Sequence, residues 1–213
     1  MFTGIIQATA KVSATKKSGE CLRVSIGKPK SWKFALGQSI SVDGICSTVT
    51  AQSKDLFDVE YMPETIVKTT AGSFAEGALV NLERSLTLRD YIDGHVVQGH
   101  VDARGRIVSV VEEGSARRIT IELPQELRRY VAVLGSLAVN GVSLTVARLS
   151  GDRATVALIP HTLVHTNLDS LKQGSEVNIE ADVMARYILA ALGKSGTRNA
   201  TVPYAKKTLR KKG

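Results

Sequence analysis

The apolar positions of this chain fall mostly in short runs, and few of them repeat with a helical period. Leu22–Ile26, Ser39–Val42, Ile45–Thr50, Phe57–Met62 and Leu79–Leu82 are rich in Val, Ile and Thr, and clusters of Gly, Asp and Ser separate them. Branched side chains suit a pleated, half-buried surface. Turn residues at this spacing predict short antiparallel strands closed into a small barrel or sandwich. Helix is expected in two places. Gln125–Val133 follows Pro124, a residue suited to a helix start. Val183–Leu192 follows Asp182, a suitable N-cap, and stops at Gly193. In this last segment Met184, Tyr187, Ile188, Ala191 and Leu192 form one apolar stripe. The stripe either packs on its own barrel or makes a subunit contact. Two complete barrels leave it no obvious place to dock, which favours the contact.

The pattern occurs twice. GICSTVT at 44–50 matches GVSLTVA at 141–147, and the same offset of 97 superimposes Pro63 on Pro160, Thr65 on Thr162, Gly77 on Gly174 and VNLE at 80–83 on VNIE at 177–180. Over 44–83 against 141–180 there are 15 identities in 40 positions. Upstream the offset is 95, which puts LRVSIGKP at 22–29 on RRITIELP at 117–124 and Gly4 on Gly99. A unit of nearly a hundred residues is far longer than a solenoid repeat, so it is a duplicated domain. The expected organisation is an N-terminal barrel over 1–94, a C-terminal barrel over 95–182, a helix over 183–193 and a tail over 194–213.

Composition changes the picture little until charge is located. The 213 residues are 43% hydrophobic and 23% charged, an ordinary globular balance. No apolar run approaches the roughly 20 residues of a membrane span, and no basic start leads into an apolar segment. Two Cys and four His are too few for a disulfide framework and argue against a structural zinc site. The net charge of +8 taken alone points to a nucleic-acid partner. Seven of the excess positive charges lie in 194–213, which has no Asp or Glu, so the body is nearly neutral. The tail has few apolar residues and is expected to be disordered and solvated; an anion or RNA contact is the sharper alternative.

A duplicated fold suits two related ligands, and the places where the copies differ carry the asymmetry. Cys46 stands opposite Ser143, Glu64 opposite His161 and Asp43 opposite Asn140. Cys46 is either a small core residue or a nucleophile, the latter requiring an activated thiol. Cys21 reads as structural. His95 and His100 lie in GHVVQGH, where extended backbone would send them to opposite faces, and the Gly before each suggests close packing or a turn. His161 and His165 have the helical spacing of two zinc ligands, but no accompanying HExxH glutamate, so polar surface packing is the better reading. Ser39, Thr48, Thr145 and the PxT elements at 63–65 and 160–162 supply hydroxyls that suit either a polar ligand or strand formation. No Gly-rich phosphate loop or Ser-His-Asp signature is present. The residues alone give a paired-ligand site and leave the ligand unnamed.

MFTGII at the start, VDGICSTVT, ERSLTLRDYIDGHVVQGHVD, GSLAVNGVSLTV, LIPHTLVHTNL and VNIEAD together resemble the riboflavin synthases of the alpha-chain type, from residue 1 to about 190. The resemblance implies two six-stranded Greek-key β-barrels and a C-terminal α-helix that joins a homotrimer. It implies a dismutation in which one 6,7-dimethyl-8-ribityllumazine donates a four-carbon unit to a second, giving riboflavin and 5-amino-6-ribitylaminouracil without metal or redox cofactor. Each barrel would bind one lumazine, with the active site between the N-barrel of one subunit and the C-barrel of another.

By resemblance, N-barrel contacts fall on Gly4, Ile5, Ile6, on Cys46, Ser47, Thr48, on Glu60, Tyr61, Met62, Pro63, Glu64, Thr65, and on Gly99, His100, Val101. C-barrel contacts fall on Ser143, Leu144, Thr145 and on Ala157, Leu158, Ile159, Pro160, His161, Thr162. Phe2, Thr3, Ser39 and Asp182 match lining or supporting positions. His100 is the candidate proton-transfer group, and Cys46 or a bound water the candidate nucleophile. Leu134 stands where the family commonly has Lys, and Ser47 where it commonly has Leu; His161 is at a variable position. The resemblance also makes lumazine synthase a candidate partner and the cytoplasm the expected location, since the motif begins at Met1. The rival reading on the same fold is a non-catalytic lumazine- or flavin-binding protein. A nucleic-acid-binding barrel, a third class, has only the tail in its favour.

Overall fold

The computed structural model describes residues 1–192; the tail expected over 194–213 lies outside them. Two closed six-stranded antiparallel barrels follow one another. The first comprises β1 (Ala8–Ser18), β2 (Cys21–Gly27), β3 (Ser39–Val42), β4 (Ile45–Gln52), β5 (Leu56–Tyr61) and β6 (Leu79–Arg84). The second comprises β7 (Ala103–Glu113), β8 (Ala116–Glu122), β9 (Ser136–Val139), β10 (Val142–Ser150), β11 (Arg153–Leu158) and β12 (Glu176–Ala181). The order around the first barrel is β1-β2-β5-β4-β3-β6, and β7 to β12 repeat it strand for strand. The β2–β5 and β3–β6 pairings skip along the sequence as a Greek key does. Closure removes the sheet edges that would otherwise invite aggregation.

Alternation fills the interiors. Along β4, Ile45, Ser47 and Val49 point in and Cys46, Thr48 and Thr50 point out. The first core is closed by Phe57, Phe34, Ile26, Ile40 and Leu82, the second by Ile107, Ile121, Leu137, Leu158 and Ile179. The β3–β4 and β9–β10 hairpins turn on Asp43-Gly44 and Asn140-Gly141, all four at positive φ, as a tight primed turn requires. These two turns meet: a Cβ on Gly44 would lie 2.6 Å from the Gly141 nitrogen, so backbone packs directly on backbone between the barrels.

One expectation is corrected. Gln125–Val133 is not an α-helix but a 3-10 segment over Gln125–Tyr130, closed by the Val131 N–H on the Arg128 carbonyl. Only Leu127 of that segment is buried, so no apolar face exists to sustain an α-helix. In the PxT elements, whose threonines also allowed strand formation, Pro63 and Pro160 open one-turn helices α1 (Pro63–Lys68) and α2 (Pro160–His165). Helix α3 (Val183–Leu192) forms where expected, and the Asp182 carboxylate accepts the Met184 N–H at its start. Its stripe does not pack on its own barrel, since Met184, Tyr187, Ile188 and Leu192 are exposed and Val183 alone is buried.

Candidate functional site

The predicted residues gather as two half-sites related by the duplication, and the segments that precede the barrels cross between them. Gly4, which the resemblance assigns to the N-barrel contacts, spans the two barrels, and its N–H donates to Glu83 of β6. Its carbonyl accepts the Ser143 N–H of β10 at 2.8 Å, and Ile6 packs against the second core. Ile5 stays exposed beside them. Reciprocally, the Gly99 carbonyl accepts the Cys46 N–H of β4 at 2.8 Å, and Val101 joins the first core. The two segments pair with each other through an antiparallel bridge between Phe2 and Val97. Both glycines are at φ +77°, and a Cβ on either would press within 2.7 Å of Ser143 or Cys46, so only glycine allows the approach. The N-barrel half therefore comprises Cys46, Thr48, Glu60, Met62–Thr65 and Gly99–Val101. The C-barrel half comprises Ser143, Thr145, Ala157, Ile159–Thr162 and Gly4–Ile6.

Strand alternation sorts the predicted residues further. Cys46, Thr48, Met62, Pro63, Glu64 and His100 are exposed in the first half, and Thr145, Ala157, Ile159, Pro160 and His161 in the second. Cys46 is thus not a core thiol. Ser47, Tyr61, Leu144 and Leu158 face the barrel interiors, where the Ser47 hydroxyl bonds the Tyr61 hydroxyl at 2.9 Å. These four can offer a ligand only their main chain. Ser39 pairs with Thr48 across β3 and β4. Leu134 is 79% exposed and sits at φ +64°, where its counterpart in the first copy is Gly37.

His95 was not among the predicted site residues, because the resemblance carried over only Gly99, His100 and Val101 of its segment. The segment is irregular, and its two histidines part: His100 is exposed, and His95 is buried with Nδ1 2.7 Å from the Ser143 hydroxyl. Its Nε2 is buried without a partner among the described residues. Burial holds the His95 pKa below its ordinary value, and the Asp182 carboxylate opposes that shift. The ring is therefore neutral near pH 7 and able to accept a proton. Gly94 supplied the one usable sequence signal: a side chain there would collide with the Thr3 carbonyl and with Ser143.

The exposed side chains of the two halves lie on open surface. A depression of about 610 Å³ is lined by Asp102–Arg106, Glu122–Glu126 and neighbouring residues and contains none of them, and one of about 500 Å³ beside α1 includes only Pro63. His161 stacks on His165 with ring centres 4.1 Å apart on exposed α2.

The model for the lumazine binding domain matches residues 3–85 and 98–182, one copy per barrel. The riboflavin synthase of Bacillus subtilis strain 168 is 38% identical over 196 residues, covering 92% of this chain and 91% of its own. That of Brucella abortus strain 2308 is 41% identical over 195 residues, covering 88% and 96%. Among solved structures, LumP complexed with riboflavin superimposes with a TM-score of 0.79 at 25% identity, covering 85% of this chain and 99% of its own. LumP complexed with 6,7-dimethyl-8-(1'-D-ribityl) lumazine gives 0.77 at the same identity and coverage.

Proposed function

We propose that this chain, which belongs to the riboflavin synthase family and carries the lumazine binding domain twice, is a transferase that converts two molecules of 6,7-dimethyl-8-ribityllumazine into riboflavin and 5-amino-6-ribitylaminouracil. The observation that carries the mechanism is the pair of half-sites, alike in backbone and unlike in chemistry: Cys46 against Gly99 in one, Ser143 against Gly4 and His95 in the other. A dismutation of two identical molecules needs this asymmetry, because one must lose a four-carbon unit and the other gain it. Two substrates give two products with atoms and electrons balanced, so no external oxidant enters.

The chemistry starts with loss of a proton from the acidic C7 methyl of one lumazine. Neutral His95 is suited to receive it by way of the Ser143 hydroxyl, 2.7 Å from its Nδ1, in the C-barrel half, and His100 is the proton-transfer candidate in the N-barrel half. Cys46, exposed on β4, or a water molecule is the candidate nucleophile that adds at C7 of the other lumazine. Holding the two rings face to face supplies much of the rate.

Each half-site is open in the single chain, and the apolar positions of α3 are exposed. Both features fit a homotrimer in which the N-barrel half of one subunit closes over the C-barrel half of another. The cytoplasm is the proposed location; no helix among the described residues is long and apolar enough to cross a membrane. Association with lumazine synthase would place the source of the substrate beside its consumer.

Incubation of the purified protein with the lumazine tests the reading: riboflavin accumulates with half-molar stoichiometry. The LumP structures favour one rival, a non-catalytic binder. Bound lumazine fluorescence without riboflavin would establish it instead. Substitutions His100→Ala and Cys46→Ser should each lower turnover, and wild-type rates in both would overturn their assigned roles.

A further inference from the structure

Two buried carboxylates stand at equivalent places in the duplication, and neither belongs to the ligand-contact sets. Glu83 on β6 is 1% exposed and Glu180 on β12 is 5% exposed. Glu83 accepts the Thr3 N–H at 2.6 Å and the Thr3 hydroxyl at 2.6 Å through one oxygen, and the Gly4 N–H at 3.0 Å through the other. Glu180 accepts the Gln98 N–H at 2.7 Å through one oxygen and the Gly99 N–H at 2.9 Å through the other. No Lys or Arg pairs with either carboxylate among the described residues.

A buried acid held only by N–H groups and a hydroxyl is an expensive way to fasten a loop, and burial does raise both above the usual carboxylate range. A carboxylate offers what an amide lacks, which is acceptor oxygens on both sides for consecutive N–H groups. Those N–H groups belong to the two glycine turns. The far side of each turn rests on the opposite barrel: Gly4 on Ser143, Gly99 on Cys46. A carboxylate on one barrel thus fixes the turn that completes the half-site of the other.

We propose that Glu83 and Glu180 are positioning residues acting in crossed fashion, Glu83 setting the C-barrel half-site and Glu180 the N-barrel half-site. This rests on the two-lumazine reading above. A glutamine at either place keeps the shape but turns an NH2 group towards a backbone N–H, losing one bond and creating a clash of donors.

The test uses full-length Glu83→Gln and Glu180→Gln, with riboflavin as the probe. Riboflavin binding is measured by fluorescence titration, and site occupancy by crystals soaked in riboflavin. Glu180→Gln should weaken binding about tenfold at Cys46–Thr48 and leave Ser143–Thr145 unchanged, and Glu83→Gln should do the reverse. Both variants should lose turnover, since both lumazines must be held. Should a Gln variant fail to fold, Glu180→Asp retains the charge with withdrawn oxygens, and Thr3→Val removes one donor to Glu83; each should show the same one-sided loss in milder form. Equal weakening of both half-sites in step with a lowered Tm, or no change at either, would overturn the crossed roles while wild-type catalysis stands. Wild-type protein that neither binds riboflavin nor forms it would overturn the underlying function, and the crossed roles with it.

Discussion

His95 and His100 lie five residues apart, yet the first is buried against Ser143 of the second barrel and the second is exposed beside the Gly99 turn on the first. Burial depresses the His95 pKa below 6.5, with Asp182 pulling the other way. A catalytic role for the neutral ring then gives kcat/KM an acid limb below pH 6.5, where protonation removes the base. His95→Gln should cost about a hundredfold or more in kcat. Asp182→Asn keeps a competent cap for α3 but removes the opposing charge, so the acid limb should move to lower pH. A pH–rate profile whose acid limb stays put in that variant would detach His95 from the step. Leu134 presents a different residue-scale case. Left-handed backbone costs a non-Gly residue roughly 1–2 kcal/mol, and the equivalent Gly37 escapes that cost. Leu134→Gly should raise Tm by about 2 °C, after the added freedom of the unfolded chain offsets part of the gain. Thermal scans showing no rise would mean that the exposed side chain makes up the strain by contacts of its own.

At the scale of elements, the strands whose Val, Ile and Leu recur at every second position were legible in the sequence, and those without that pattern were not. Residues 22–26, 39–42 and 79–82 lie within β2, β3 and β6 because Val, Ile and Leu face inward at every second position. β1 escaped notice because Val12 is its one fully buried residue and its second half is polar. The helices α1 and α2 escaped because one turn is too short to show a period. The glycine turns at 4 and 99 were visible as duplicated glycines, but their crossing to the opposite barrel depends on tertiary packing that no local pattern encodes. The same holds for the β3–β4 turn. Asp43 accepts the Asn81 N–H and the Asn167 side-chain amide, and burial raises its pKa from 3.8 to about 7. A carboxyl that keeps its proton more firmly in the folded state contributes stability in full below pH 3.8, and that contribution fades as pH rises through about 7. Asn already serves at the equivalent position 140, where its Oδ1 accepts the Asn178 N–H. Asp43→Asn should therefore gain in Tm over the wild type between pH 5 and pH 8, with little difference at the acid end. A pH-independent difference would show that Asp43 ionises freely in the folded protein.

For the whole molecule, the consequential feature is that twofold duplication produces two half-sites without closing either. Ser143 and Cys46 lie on equivalent strands with their crossed turns, and among the described residues the hydroxyl, thiol and imidazole groups of Thr48, Thr145, Cys46 and His100 are exposed. Two lumazines stacked in a dry cleft need a second wall. The chain also exposes Met184, Tyr187, Ile188 and Leu192 along α3, an apolar face whose burial would stabilise an assembly by roughly 25 cal/mol per Å² removed from water. Arg186 anchors the helix by pairing with Asp102 and lying 5.0 Å over the Tyr130 ring, so the apolar face is presented on a fixed support. Asp102 follows His100 and Val101 directly, which joins α3 to the N-barrel half-site. If α3 joins the proposed trimer, a charge in the middle of this face, Ile188→Asp, should leave single chains by light scattering, because an unpaired carboxylate cannot be buried there without a large penalty. Circular dichroism of the variant should remain that of intact barrels, since Ile188 touches neither core. Riboflavin formation should fall by orders of magnitude while weak binding of riboflavin to individual half-sites survives. A dissociated variant that still turned over at the wild-type rate would show instead that the crossed turns of one chain bring its own two half-sites together.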